Sequence, residues 1–84
     1  MKTLKEQIAN LRATGNAGAG MVEVTINGEY KVLSVSINDI MLAPENKAMI
    51  ETLVTSAFND ATDKMRENTE DFARRQAQGL GIPS

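Results

Sequence analysis

Three periodicities run along the chain. Leu4, Ile8 and Leu11 fall at helical spacing, Val22, Val24 and Ile26 alternate with Glu23 and Thr25, and a three- and four-residue step carries Met49, Ile50, Leu53, Val54, Ala57, Phe58, Ala61 and Met65. The first predicts a short amphipathic helix over 2–14, the second a half-buried strand, the third a core-facing helix. A helix as short as the first is marginal in water and must pack on something. The three glycines of Gly15-Asn16-Ala17-Gly18-Ala19-Gly20 end it, and 15–20 reads as a hinge.

Asn27-Gly28 supplies two residues that tolerate positive φ, as a type I′ turn requires, so 21–38 reads as a β-hairpin. A two-residue loop sets Ile26 against Glu29, Val24 against Lys31 and Val22 against Leu33, and gathers Val22, Val24, Ile26, Leu33, Val35 and Ile37 on the core face. A three-residue loop sets Ile26 against Tyr30 and Val24 against Val32, and turns the second strand over. The first register is favoured because it matches more apolar positions, while a bulge near Val32-Leu33 reconciles both patterns. Tyr30 and Val32 do not share a face with Leu33, so both sheet faces are expected to find cover.

Ile40-Met41-Leu42 forms an apolar plug before Pro44, which suits a first helical turn, and Glu45 complements the dipole there. No breaker follows until Gly79, so the second helix is expected over 44–78, roughly 50 Å at 1.5 Å per residue. A compact chain of this size has a radius of gyration of about 12 Å. The helix therefore outruns its own body. Its apolar stripe thins beyond Met65, where Phe72 is the last large hydrophobe, and 79–84 reads as a C-cap and tail. Two strands and two helices do not easily cover both sheet faces and this helix. The expectation is an α+β fold in an intertwined homodimer with projecting helical arms, its core and dimer contacts drawn from the hairpin set with Leu53, Val54, Ala57, Phe58, Ala61 and Met65.

Composition narrows the chemistry. The 84 residues suffice for one domain, 1–84, and 42% hydrophobic with 24% charged residues is ordinary for a folded protein. There is neither Cys nor His, which removes disulfides, thiolate metal sites and the side chain that titrates near neutrality. The polar opening Met1-Lys2-Thr3-Leu4-Lys5-Glu6-Gln7 carries no apolar run, so no signal peptide and no membrane association are expected, and a cytoplasmic location is the default. Net charge is −2, but its distribution is uneven. Lys2, Lys5 and Arg12 face Glu6 alone near the N-terminus, whereas Asp39, Glu45, Glu51 and Asp60 oppose Lys47 in the middle.

Gly15, Gly18 and Gly20 are not a phosphate cradle: no Gly-Lys-Ser/Thr follows and the segment leads into a strand. Asp60, Asp63 and Glu67 share a helix face, yet no nucleophile or phosphate clamp accompanies them, and a solvated face accounts for them without a metal. Lys64, Arg66, Arg74 and Arg75 on the projecting helix could meet phosphates. Against that, Glu70 and Asp71 each precede an arginine by four residues, the favoured spacing for intrahelical pairing.

The run Thr14-Gly15-Asn16-Ala17-Gly18-Ala19-Gly20-Met21-Val22-Glu23-Val24-Thr25-Ile26-Asn27-Gly28, followed by Ile50-Glu51-Thr52-Leu53-Val54 and Ala57-Phe58-Asn59-Asp60-Ala61, resembles the YbaB/EbfC family of bacterial nucleoid-associated proteins. The resemblance implies a cytoplasmic, nucleoid-associated homodimer shaped like tweezers that binds duplex DNA with little sequence preference, without cofactors, through its terminal helices. Gly18, Gly20, Asn27, Gly28, Asn59, Asp60 and Ala61 match positions that build that fold. The family's N-terminal helix is usually longer than the three turns before Gly15. On this reading Lys2, Lys5 and Arg12 on the first helix and Lys64, Arg66, Arg74 and Arg75 on the last are the candidate DNA contacts. They would position without reading bases. The competing reading is a dimeric adaptor whose arms bind a protein partner, and an enzyme is a distant third.

Overall fold

The computed structural model describes residues 3–79, so Lys2 and the expected tail 80–84 lie outside the described residues. The order is α1 (Leu4–Ala9), β1 (Arg12–Ala17), β2 (Val22–Asn27), β3 (Val32–Ile37), two short 3-10 turns (Asp39–Met41 and Pro44–Asn46) and α2 (Lys47–Gly79). The strands form one antiparallel sheet in the order β1-β2-β3.

The first correction concerns 2–14. Thr3 caps α1 by accepting the Glu6 N–H at 3.1 Å, but the helix stops at Asn10 and Arg12 opens a strand. Leu11, expected to extend the helical stripe, instead leaves it to pack against the sheet core. The glycine-rich hinge is corrected with it. Thr14 to Ala17 lie in β1, and the turn into β2 runs from Gly18 to Met21, with Gly18, Ala19 and Gly20 at positive φ and the Met21 N–H donating to the Gly18 carbonyl. Gly15 is a strand residue because the strand and α2 approach too closely for a side chain: a Cβ there would stand 2.2 Å from the Ala57 carbonyl oxygen and the Ala61 nitrogen.

The hairpin loop is longer than either register assumed. Val22 pairs with Ile37, Val24 with Val35 and Ile26 with Val32, and the register shift between Thr25 and Ile26 leaves Leu33 as the extra residue of a bulge. Residues 28–31 connect the strands. Asn27 organises them with its side chain, whose Oδ1 accepts the Glu29 and Lys31 N–H groups at 2.9 and 3.1 Å. The left-handed residue is Tyr30, at φ 63°, rather than Gly28. Gly28 serves space instead: a Cβ on it would lie 1.7 Å from the Ile8 carbonyl oxygen, so its absence seats the turn on α1.

α2 lies across β1 and β2 and leaves β3 uncovered. The core is Ala13, Val22, Val24, Ile26, Ala57, Ala61 and Met65, with Leu11, Ala17, Ile37, Leu53, Val54 and Phe58 packed partly buried against it. Burial of Ile26, Met65, Val22 or Val24 contributes roughly 1.5–3 kcal/mol apiece. Leu33 and Val35, expected on the core face, stand about half exposed beside Val32, because no element among the described residues covers this part of β3. The opposite face of β1 and β2 is polar, with Thr14 and Thr25 joined by a 2.8 Å hydroxyl contact.

The molecule is extended, 56 × 24 × 14 Å with a radius of gyration of 16.2 Å. Leu53 packs under the Gly18 turn at one end of the sheet and Asn68 reaches the Arg12 carbonyl at the other. Residues 69–79 therefore run past the sheet as an arm, about 16 Å long.

Candidate nucleic-acid interface

The arm leaves the sheet at a defined end. Arg12 pairs with Asn27 in the sheet, Gly28 sits on α1, and the Gly28 N–H donates to the Ala9 carbonyl at 3.3 Å. α1, the start of β1, the 28–31 turn and the root of the arm are thus one locality, which gathers Lys5, Arg12 and Lys31. The other end of the long axis holds Ile37, the two 3-10 turns and the start of α2. There Ile40, Leu42 and Met49 are exposed around an apolar groove lined by Leu42, Ala43, Pro44 and Ile50, and Asp39, Glu45 and Glu51 oppose Lys47 alone.

The candidate cations differ in what they already touch. Lys64 Nζ is 2.9 Å from Asp60 Oδ2 and donates to the Thr14 carbonyl at 3.3 Å. Arg66 pairs with Asp63 at 3.2 Å and Arg74 with Asp71 at 2.6 Å. The expected Glu70–Arg74 and Asp71–Arg75 pairs do not form: Arg74 takes the three-residue spacing to Asp71, and Arg75 Nε donates only to the Asp71 carbonyl, at 3.4 Å. Arg12 lies on a strand rather than on the first helix, and its Nη1 donates to the Asn10 and Leu11 carbonyls at 3.0 and 3.1 Å. Lys5 is exposed on α1. Among the described residues, Lys5, Arg12, Lys31 and Arg75 have no carboxylate within 4.0 Å.

Sequence reasoning passed over two features. Lys31 was hidden because alternation placed it inside a strand, and only the longer loop puts it on the turn. The second is a polar row on α2. Asp60 accepts the Asn16 N–H at 3.0 Å, Lys64 donates to the Thr14 carbonyl, and Asn68 Nδ2 donates to the Arg12 carbonyl at 3.2 Å. The four-residue spacing of Asp60, Lys64 and Asn68 was its available signal. These side chains satisfy three of the outward backbone groups of β1, one on each of Arg12, Thr14 and Asn16, and so occupy that edge of the sheet. The Lys64 ammonium and the Asn16 N–H hold the Asp60 carboxyl below the ordinary aspartate value of 3.8. Asp60 is thus committed to the strand and Asp63 to Arg66, and among the described residues no three carboxylates converge as a metal site requires.

One sheet edge occupied by side chains of its own helix, the other apolar and open, and a charged helix projecting at one end define a small α+β binding scaffold. The model of the YbaB/EbfC DNA-binding family matches residues 1–80, and the chain belongs to that family. It is 40% identical over 83 residues to a nucleoid-associated protein of Rickettsia akari, covering 99% of this chain and 78% of that one. A nucleoid-associated protein of Bartonella tribocorum is 34% identical over 84 residues, covering 100% and 78%. The crystal structure of an uncharacterized Helicobacter pylori protein superposes with a TM-score of 0.70 at 30% identity, covering 87% of this chain and 76% of that chain.

Proposed function

We propose that the protein is a nucleoid-associated homodimer that holds duplex DNA by its phosphates with little sequence preference. The family is one of DNA-binding proteins rather than enzymes. The observation that carries the reading is the gathering of Lys5, Arg12 and Lys31 at the root of the arm that bears Arg74 and Arg75. Arg66 and Arg74 are secondary members of this surface, because each is exposed but already faces a carboxylate, Asp63 or Asp71, across its ion pair. Lys2 belongs to the same proposed set. Lys64 is its weakest member, since freeing it would unclip β1. None of these groups is a base-reading helix or an inserted aromatic, which supports positioning contacts over sequence readout.

The uncovered strand supports dimerisation. Val32, Leu33 and Val35 are 47 to 49% exposed on the sheet edge left open, and Ile40, Leu42 and Met49 are exposed beyond the end of that strand. A second copy placed along β3 buries that edge and sets two arms in one particle. Nucleoid and cytoplasmic location accompany this reading, and among the described residues no helix is long and apolar enough to cross a membrane.

Fluorescence anisotropy with several unrelated duplexes tests it. Affinities should agree across sequences and fall linearly in log–log form with salt. No binding at low salt and micromolar protein would reject it. The pairing of Lys64, Arg66 and Arg74 with carboxylates, with a net charge of −2, favours a second reading, a dimeric adaptor for a protein partner. Co-purification with a protein but not with nucleic acid would decide for it.

A further inference from the structure

We infer that Lys31, on the turn between β2 and β3, is a phosphate contact, and that with Lys5 and Arg12 it makes the root of the arm, rather than its length, the principal anion-binding surface. The inference rests on the duplex-binding reading and names where that binding is concentrated.

Compensation decides between root and arm. A phosphate approaching Arg66 or Arg74 meets Asp63 or Asp71 at nearly the same distance, and the two Coulomb contributions largely cancel. Glu67 and Glu70 add repulsion along the same stretch. Only Arg75 on the arm stands without a carboxylate within 4.0 Å among the described residues. At the root Lys5, Arg12 and Lys31 share that condition, against Glu6 and Glu29 on the same segments and Glu67 and Glu70 on the adjoining turns of α2, and none of the three is paired with any of these carboxylates. Glu6 accepts the Thr3 hydroxyl at 3.2 Å and so is partly engaged.

Order decides in the same direction. The backbone of Lys31 is held twice by Asn27, whose Oδ1 accepts its N–H at 3.1 Å and whose N–H donates to its carbonyl at 3.1 Å. The turn is fixed to α1 through Gly28, and Arg12 is fixed to the sheet by its pairing with Asn27 and to α2 by Asn68. Cations carried on backbone that is already ordered lose less freedom on binding than cations on a projecting helix end. Asn68 stands level with Arg12, and Arg75 lies seven residues further on the same helix face, about 10 Å along the axis. That interval spans about three phosphate steps of one DNA strand. Root and Arg75 can therefore engage one strand together.

The test is the salt dependence of binding to a fluorescein-labelled duplex, followed by anisotropy for the full chain, Lys31→Gln, Lys31→Arg and Arg74→Gln. Lys31→Gln should weaken binding and lower the log–log slope by about 0.9 per engaged protomer. Lys31→Arg should keep the slope, and Arg74→Gln should lower it less. The Lys31 side chain makes no hydrogen bond to another described residue, so an unchanged thermal melt is expected and separates binding from folding. An unchanged slope for Lys31→Gln alongside a reduced one for Arg74→Gln overturns the inference and leaves DNA binding standing. Failure of the unmodified chain to bind overturns the underlying reading instead.

Discussion

Gly15 and Ala61 meet backbone to backbone: a Cβ on the glycine would lie 2.2 Å from the Ala61 nitrogen and 2.8 Å from its Cα. Neither neighbour can move without shifting α2. Gly15→Ala must therefore separate β1 from the helix, which also strains the contacts of Asp60, Lys64 and Asn68 with the strand edge. The expected loss is about 3 kcal/mol, at the upper end of overpacking costs. Urea denaturation checks it, and the variant should unfold at clearly lower denaturant than the parent chain.

Asp60 supplies a pH signature. Its carboxyl titrates below the ordinary 3.8 because Lys64 and the Asn16 N–H favour the charged form. The unfolded chain therefore takes up this proton first as the solution is acidified. The stabilisation is complete above the unfolded value and is lost as pH falls through the folded one. Asp60→Asn should consequently be less stable than the parent at neutral pH, and the two chains should converge in acid below pH 3.8. Thermal melts at neutral pH and across the acid range measure the gap, and a gap independent of pH would show that the ion pair contributes nothing.

Met65 closes the core at the arm end, fully buried among Ala13, Ile26 and Ala61. Met65→Ala leaves a cavity and should cost about 3 kcal/mol. Phe72, beyond the sheet, contributes to no part of that core, so Phe72→Ala should cost far less in a single chain. Paired denaturation curves distinguish core from arm and place the boundary between them.

What the sequence disclosed followed the burial contrast of each segment. The alternation of Val22, Val24 and Ile26 and the helical step of Ala57, Ala61 and Met65 are large contrasts, and all six residues are buried. β1 carries its inward positions as Ala13, Gly15 and Ala17, which are small enough to leave no hydropathy signature. Gly15 was chosen for a close approach to α2, a tertiary requirement that reads locally as a breaker. Asn27-Gly28 did mark a turn, but its chemistry lay in the Asn27 side chain and in the space that Gly28 leaves for α1. The cations themselves were legible as residues. Their pairing was not, because Arg74 could choose between Glu70 and Asp71, and only the helix geometry shows that it takes Asp71.

Val35 offers a test of the dimer that spares the fold. It pairs with Val24 in the sheet yet is 48% exposed, since α2 covers β1 and β2 but not β3. In an isolated chain Val35→Lys would place a charge on an already hydrated position of a peripheral strand, at little cost to the core. In a dimer joined along β3 the same lysine would meet its symmetry mate or apolar surface across the interface, and either is unfavourable. Sedimentation equilibrium should therefore find the parent chain dimeric and Val35→Lys shifted toward monomer, with the far-ultraviolet circular dichroism of α2 retained. On the proposed reading, in which two arms of one particle grip a duplex, DNA affinity should fall with dimer population despite the added positive charge. A variant that stays dimeric would move the proposed contact from β3 to the Ile40, Leu42 and Met49 end of the molecule.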